Sequence, residues 1–212
     1  ARKKFKAKDI TNADSEENWQ DFLPQASAKT FSIKNKFKFN DVHQTFYNLC
    51  TDERTKMILV DGPAGTAKTY ISVMAGLTLL KEKQINQIVY IRSIVESAHK
   101  SIGALPGEID DKFKPWSLPL IEKMNECVAP SITSKLMDEG QVKSLPVNFV
   151  RGLTFHDSFV IVDEAQNLAK DELVTILTRF GMRSKYIVIG DGMQKDIGKN
   201  SGFASVFNAF ND

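Results

Sequence analysis

The feature that most constrains the fold is an apolar strand that runs into a glycine-rich loop and then into a helix. Residues 57–60 form a continuous apolar run, which is typical of a buried parallel strand. The loop Gly62–Thr69 follows, and apolar residues at helical spacing continue from there to Leu80. Successive backbone N–H groups in such a loop, together with the N-terminus of the helix, form a cradle for an anion. The sequence therefore predicts a phosphate-binding loop.

Each position of this loop has an expected part in that cradle. The loop residues are Gly62, Pro63, Ala64, Gly65, Thr66, Ala67, Lys68 and Thr69. We expect Lys68 to reach the β- and γ-phosphates of a nucleotide and Thr69 to occupy one coordination position of Mg²⁺. Ala67 stands where the usual pattern has a second glycine, and it is strained if that position requires a positive φ. The alternative is a glycine-rich turn with a chance Lys-Thr pair, which leaves the later polar elements unexplained.

Further apolar segments alternate with helical ones along the chain. Strands are predicted at residues 88–91, 147–150, 159–162 and 186–189. Helices are predicted after Asn40 or Asp41, over residues 120–128, and from Asp171 to Gly181. Strands that alternate with helices predict an α/β domain with a mostly parallel sheet and helices on both faces.

Two segments around these elements have their own patterns. Residues 31–39 alternate aromatic or aliphatic side chains with lysines, which predicts a half-buried strand. Residues 93–118 show no clean period and include Gly103 and Pro106, so they are predicted to form a long loop or insertion.

Polar side chains follow two of the later strands. Asp163 and Glu164 come directly after residues 159–162, and Gln194 follows residues 186–189. Because the carboxyl ends of parallel strands face the ligand crevice, we expect these side chains near the phosphate loop. Asp163 is expected to hold Mg²⁺ through water, and Glu164 to orient or deprotonate an attacking water. The alternative is a strand end with ordinary solvated acids and a polar turn.

Composition and charge bound the class of protein. The 212 residues suffice for one domain, and no apolar run approaches the roughly 18 residues that a membrane-spanning helix needs. Two cysteines are too few for a disulfide framework, which favours a cytoplasmic, reduced setting. The net charge is only +2, but residues 1–8 hold five basic side chains and no acid. Residues 1–30 are accordingly expected to form a basic and then acidic N-terminal arm, flexible or ordered by a partner.

The assembled motifs resemble the PhoH-like family of P-loop ATPases. The matching segments are GPAGTAKTY at 62–70, IGALPG at 102–107, DEAQN at 163–167, TRFG at 178–181 and GDGMQKD at 190–196. They occur in the order of the family, and the combination of the last three is far more specific than the phosphate loop alone. Ala67 departs from the family's usual glycine, and Ser93 departs from a common Arg-Pro pair.

The resemblance implies a fold and a set of site residues. Residues 31–212 are expected to form a single RecA-like P-loop NTPase domain, similar to the first lobe of superfamily 1 helicases. Asp163 and Glu164 then correspond to the helicase DExx motif, and Gln194 to its γ-phosphate sensor. Gln44 is expected to read the edge of the adenine, and Tyr70 belongs to the nucleotide-binding segment. ATP and Mg²⁺ are the implied ligands, and ATP hydrolysis is the implied reaction.

The resemblance also implies partners. Because helicases of that superfamily use two lobes, a single lobe implies a homo-oligomer, plausibly a hexameric ring, acting on RNA or single-stranded DNA. The basic tip with Lys34, Lys36 and Lys38 supplies phosphate contacts, and Phe37 or Phe39 a stacking surface. The alternative is a solvated tail beside a lysine-protected edge strand.

Three other functions remain open from the residues alone. One is a nucleotide-gated binding or regulatory module with little turnover, which Ala67 makes conceivable. Another is a P-loop kinase for a small molecule, although the Asp163–Glu164 pair suits water activation better. The third is an AAA+ ring ATPase, against which the GDxxQ element at residues 190–194 counts.

Overall fold

A single sheet of five parallel strands organises the molecule. The computed structural model describes residues 31–93, 109–194 and 201–210. The strands are β1 (Met57–Asp61), β2 (Gln87–Arg92), β3 (Val142–Pro146), β4 (Ser158–Asp163) and β5 (Lys185–Gly190). Their spatial order is β1-β5-β4-β2-β3, and every neighbouring pair is parallel. Because β5 lies between β1 and β4, the chain that leaves β5 emerges between the phosphate loop and the acidic pair.

Helices cover both faces of this sheet. They are α1 (Asp41–Thr51), α2 (Lys68–Lys81), α3 (Ile109–Cys127), α4 (Pro130–Asp138), α5 (Lys170–Leu177) and α6 (Phe203–Ala209). Side chains of each strand alternate between two apolar cores, since Ile161 packs with α2 and α3 while Val160 and Val162 pack with α5 and α6. The predicted α/β class, with a mostly parallel sheet between two helical layers, is confirmed. No helix in the described ranges is long and apolar enough to cross a membrane.

Helix α1 is fixed at both ends by side chains. Asn40 is its N-cap, as predicted, and its Oδ1 accepts a 2.9 Å hydrogen bond from the backbone N–H of His43. At the other end the buried ammonium of Lys185 donates to the carbonyls of Cys50 and Asp52 at 2.7 and 2.6 Å. A cation is favourable at a helix C-terminus, although burial lowers the pKa of Lys185. The first residue of β5 thus ties α1 to the sheet.

The strand predicted for residues 31–39 is wrong. Among the described residues this segment pairs with no strand, and the two edges of the sheet are β1 and β3. Its backbone instead bonds to helices: Lys34 N–H donates to Cys127 O at 2.7 Å, and Lys36 N–H donates to the Tyr70 hydroxyl at 3.1 Å. Phe31, Ile33 and Phe39 still pack against the core. The alternation therefore reflects the partial burial of these three side chains, and the segment forms no ladder of strand hydrogen bonds.

The strand predicted for residues 147–150 is also wrong. The edge strand β3 ends at Pro146, and Val147–Phe149 form a single 3₁₀ turn. Val147 and Val150 are both buried. A spacing of three residues places both on one side of a 3₁₀ turn, which explains an apolar pattern that resembled a strand.

Two helix boundaries differ from the expectations. Helix α3 begins at Ile109, so the long loop predicted for residues 93–118 is wrong from that residue onward, and residues 94–108 lie outside the described chain. Helix α5 has Ala169, rather than Asp171, at its N-cap position, and it ends at Leu177 before Gly181. The carboxylate of Glu172 accepts the N–H of Ala169 at 2.9 Å. This is one half of a capping box; the other half needs an oxygen-bearing side chain at the N-cap, which alanine lacks. The N-terminal arm and the segments 102–107 and 195–200 are likewise outside the described residues.

Candidate nucleotide-binding site

A cavity of about 550 Å³ opens at the carboxyl ends of β1, β4 and β5. This is the edge of a parallel sheet at which α/β proteins bind ligands. Ten of the predicted site residues line it: Ala64, Gly65, Thr66, Ala67, Lys68, Thr69, Tyr70, Asp163, Glu164 and Gln194. The structure therefore brings the loop, the acidic pair and the glutamine into one space.

The loop has the backbone shape of an anion cradle. Gly65 and Ala67 both have positive φ, at +79° and +59°, and α2 begins at the next residue, Lys68. Ala67 therefore has the positive φ under which strain was expected, and its methyl group makes this conformation costly. The Lys68 ammonium is held within the loop by the carbonyls of Gly62 and Pro63, at 2.6 and 2.7 Å. These two residues contribute to the site through their carbonyl oxygens and are absent from the cavity wall.

The loop that follows β5 is tied directly to the phosphate loop. The buried carboxylate of Asp191 accepts the N–H of Ala64 at 3.1 Å through Oδ2 and the N–H of Met193 at 3.0 Å through Oδ1. In addition, Gly192 N–H donates to Asp61 Oδ1 at 2.8 Å. Sequence reasoning missed Asp191, although an acid directly after a buried strand was a signal for it. Asp191 thus sets the position of one loop relative to the other.

Two oxygen atoms at the base of the cavity suit a hard divalent cation. The hydroxyl of Thr69 donates to Asp163 Oδ1 at 3.1 Å, and Asp163 is only 5% exposed. Hydroxyl and carboxylate oxygens are the donors that Mg²⁺ prefers. Among the described residues no group of three or more His, Cys, Asp or Glu side chains surrounds a metal position. A cation held by these two oxygens would need phosphate and water oxygens at its remaining positions, which is how Mg²⁺ is usually bound.

The second oxygen of Asp163 is engaged by Tyr90. The phenol donates to Asp163 Oδ2 at 2.6 Å, and both side chains are buried. Burial raises the pKa of Tyr90, and the neighbouring carboxylate raises it further, so the phenol stays protonated as a donor. Tyr90 was not predicted as a site residue. The available signal was a hydroxyl-bearing residue within the otherwise aliphatic segment 88–91.

Glu164 is held in a strained and well-partnered position. Its φ is +54°, which is unfavourable for a residue with a side chain and is often found at functional sites. Gln166 donates to Glu164 Oε2 at 2.5 Å, and Arg92 lies 3.9 Å from Glu164 Oε1. Gln166 also accepts the N–H of Asp191 at 3.0 Å through its own carbonyl oxygen. Gln166 therefore links the glutamate to the loop after β5, and the sequence did not reveal this role.

Two predicted residues are placed differently from the others. Gln194 is exposed at the cavity wall, and its N–H donates to Asp191 O at 3.1 Å. Gln44 does not line this cavity. Its amide donates to Asn48 Oδ1 at 2.8 Å, and it borders a separate cavity of about 380 Å³. The phosphate-loop cavity is bordered on this side by Phe37, Lys38, Phe39 and His43 instead.

This parallel sheet and this loop define a single RecA-like P-loop domain, the nucleotide-binding class of α/β protein. Comparison with known proteins narrows the class, since a family model described as PhoH-like protein matches residues 37–212. The chain belongs to the PhoH-like family, and the resemblance carried by its motifs is confirmed.

Individual relatives agree with the family match. The chain is 38% identical over 154 residues to a PhoH-like protein of Bacillus subtilis (strain 168), which covers 72% of this chain and 48% of that protein. It is 35% identical over 153 residues to a PhoH-like protein of Mycobacterium tuberculosis, covering 71% and 43% respectively. It is 32% identical over 163 residues to Protein PhoH2 of Thermobispora bispora, covering 75% and 37%. The chain thus spans about half or less of the length of these curated relatives.

Proposed function

We propose that the chain binds ATP together with Mg²⁺ and hydrolyses it to ADP and phosphate. The observation that carries this proposal is the convergence of three groups on one cavity: the Lys68 loop, the Thr69–Asp163 pair and Glu164. A loop alone is enough for binding phosphate. The addition of a metal position and of a carboxylate that Gln166 orients at the cavity wall favours a reaction with water.

The reaction is in-line transfer of the γ-phosphoryl group to water. A bond forms between the water oxygen and the γ-phosphorus while the bond from that phosphorus to the β,γ-bridging oxygen breaks. Glu164 accepts the proton that the water loses, and ADP departs with the bridging oxygen. Lys68 and the backbone N–H groups of the loop stabilise negative charge on the phosphates. Bound Mg²⁺ supplies further positive charge to the phosphate oxygens, with Thr69 and Asp163 as the residues that would hold it.

Two variants test this assignment. Lys68→Ala should abolish binding of ATP, because the cation that faces the phosphates is removed. Glu164→Gln should bind ATP but hydrolyse it about 100-fold more slowly or worse, because an amide does not accept the proton. Lys56→Ala serves as the control, since Lys56 lies outside the cavity and donates only to Glu53 O. Unchanged hydrolysis by the Glu164→Gln variant would contradict the mechanism.

We further propose that the ATPase acts in the cytoplasm on RNA or single-stranded DNA as a homo-oligomer, in the form of a hexameric ring. Exposed Lys34, Lys36 and Lys38 support this, because they lie on the segment that reaches the mouth of the cavity. Nucleic acid bound by these lysines would therefore contact the segment that forms part of the wall of the nucleotide cavity. Assembly is supported by the position of the cavity at one edge of a RecA-like lobe, where a second copy of the lobe would complete the site.

Binding and sedimentation test these partners separately. Fluorescence anisotropy with single-stranded RNA should show affinity that falls steeply with salt, and RNA should raise the ATPase rate. Replacement of the three lysines by Gln should remove most of that affinity. Absence of binding at low salt, with or without an ATP analogue, would contradict the nucleic-acid role. Sedimentation as a monomer in the presence of the analogue would contradict the ring.

A further inference from the structure

Phe37 is an exposed aromatic side chain in the wall of the phosphate-loop cavity. Its side chain is 49% exposed, although a phenylalanine ring normally favours burial. The other two phenylalanine or tyrosine side chains in this wall have less free surface. Tyr70 is 2% exposed, and Phe39 is partly buried against the core. Phe37 is thus the ring with the most surface to offer a ligand in this cavity.

The backbone around Phe37 is held by the same helix that begins at the phosphate loop. The ring of Phe37 makes an edge contact with the ring of Tyr70, with centroids 4.8 Å apart and planes at 85°. The Tyr70 hydroxyl accepts the N–H of Lys36 at 3.1 Å and donates to Asn35 Oδ1 at 3.2 Å. Asn35 Oδ1 also accepts the N–H of Phe37 at 3.1 Å. Because Tyr70 follows Thr69 directly, these contacts fix the ring of Phe37 relative to the phosphate loop.

The cavity is large enough for more than a triphosphate. Its volume of about 550 Å³ lies in the usual range for sites that enclose a small molecule. The loop accounts for the phosphate end of a nucleotide. The part of the wall formed by Phe37, Lys38 and Phe39 remains for the base. An aromatic ring binds any nucleobase by stacking, since every base has a π-face.

We propose that Phe37 is the nucleobase-stacking residue of this site and that stacking holds the base, so that the site accepts GTP as well as ATP. This inference rests on the proposed function. Gln44, the residue expected to read the adenine edge, is engaged with Asn48 outside the cavity. Lys123 and Glu126, which also border the cavity, are paired with each other at 2.7 Å. Of the polar side chains that remain on that side, Lys38 can donate to the N7 acceptor that adenine and guanine share.

A base of bound RNA is the competing occupant for this ring. The position of Phe37 favours the free nucleotide, because the ring lies in the same cavity as Lys68 and Glu164. A nucleotide whose phosphates bind the loop brings its base into that cavity.

A comparison with inorganic tripolyphosphate separates the contribution of the base to the binding affinity from that of the phosphates. Isothermal titration with Mg²⁺ present would compare tripolyphosphate with the non-hydrolysable ATP and GTP analogues that have a β,γ-imido bridge. The variants are Phe37→Leu, which keeps apolar packing against Tyr70, and Phe37→Trp, which keeps the stacking surface. Phe210→Leu is the matched control, since Phe210 is 61% exposed and lies outside the cavity.

The expected result is a loss of affinity for the two nucleotide analogues but not for tripolyphosphate. Phe37→Leu should weaken both purine analogues about tenfold and leave tripolyphosphate binding unchanged, whereas Phe37→Trp and Phe210→Leu should bind all three as the parent chain does. Unchanged analogue binding by Phe37→Leu would overturn the inference, as would equal losses for tripolyphosphate and the analogues. Loss of RNA binding alone would assign the ring to RNA and overturn it too. Failure of the parent chain to bind any of the three would instead contradict the proposed function.

Discussion

The phenol of Tyr90 donates a 2.6 Å hydrogen bond to Asp163 Oδ2, and the other carboxylate oxygen meets the Thr69 hydroxyl at 3.1 Å. Tyr90 lies on β2 and Asp163 at the end of the neighbouring strand β4. One buried bond thus fixes which oxygen of Asp163 faces the phosphate loop. Mutation of a group that orients a metal ligand commonly lowers metal affinity by about 10- to 100-fold.

Removal of this phenol should weaken metal binding. Tyr90→Phe is expected to lower the affinity for Mn²⁺, measured by electron paramagnetic resonance with ADP present, by about tenfold. Tyr186→Phe is a matched control, because the Tyr186 hydroxyl is buried and makes no hydrogen bond in the described part of the chain. Equal Mn²⁺ affinity in the two variants would show that Tyr90 does not position Asp163.

Relief of backbone strain at Ala67 should stabilise the fold. Because Ala67 has a φ of +59°, Ala67→Gly is expected to raise the free energy of unfolding by about 1 kcal/mol. Ala75→Gly, in the buried middle of α2, is expected to lower it by about 1 kcal/mol or more. Urea denaturation of the three proteins measures both changes. If both substitutions destabilise the protein, Ala67 carries no strain that glycine relieves.

Loss of Gln166 should slow hydrolysis more than it weakens binding. Its amide donates to Glu164 and accepts from the N–H of Asp191, and its side chain is 2% exposed. Gln166→Met should lower kcat by about tenfold or more with little change in KM, because Glu164 loses the donor that orients it.

The matched control for Gln166 is another buried glutamine far from the cavity. Gln87 donates to Ser158 Oγ at 2.9 Å at the opposite end of the strands. Gln87→Met should cost comparable thermal stability and leave kcat unchanged. A similar fall in kcat for both variants would assign the effect to general loss of stability.

Both cysteines should resist alkylation in the folded protein. Burial raises the pKa of Cys50 to about 12 and that of Cys127 to about 11, from an ordinary value of 9.0. Since the thiolate is the reactive form, iodoacetamide at pH 8 should label neither residue before unfolding. Mass spectrometry at rising urea concentration measures this, and rapid labelling without urea would contradict the buried positions.

The same shifts make stability depend on pH in the alkaline range. A thiol whose pKa is raised in the folded state stays protonated there, while the unfolded chain ionises from about pH 9. The contribution of the protonated thiols to the free energy of unfolding is complete below about pH 9. It is lost as the pH rises toward the pKa values that the thiols have in the folded protein. The free energy of unfolding should therefore fall between pH 9 and pH 11, and a smaller fall is expected for Cys50→Ala.

Much of the site could be predicted from the sequence because its parts are local. The strand, loop and helix around Lys68 are contiguous, and the rule that parallel strands end at one edge of a sheet brings Asp163 and Glu164 to the same place. These inferences need only neighbouring residues and the direction of the strands.

Other parts depended on contacts that no local pattern encodes. Residues 31–39 alternate as a strand does, but their backbone donors reach Cys127 and Tyr70 instead of a sheet edge. The family resemblance implied that Gln44 reads the adenine edge, yet its side chain donates to Asn48 outside the phosphate-loop cavity. The alternation correctly placed Phe31, Ile33 and Phe39 toward the core, whereas the exposure of Phe37 and the hydrogen-bond partners of the segment depend on the assembled structure.

The sequence by itself determined the fold class, the phosphate loop and the acidic pair, because periodicity and spacing are short-range properties of the chain. Only the tertiary structure decided that β5 lies between β1 and β4 and that Gln166 joins Glu164 to Asp191. It also decided that Tyr90 holds Asp163 and that Phe37 enters the cavity wall. The physical reason is that these contacts join segments far apart in the chain, and their geometry is set by the order of strands and the packing of two separate cores.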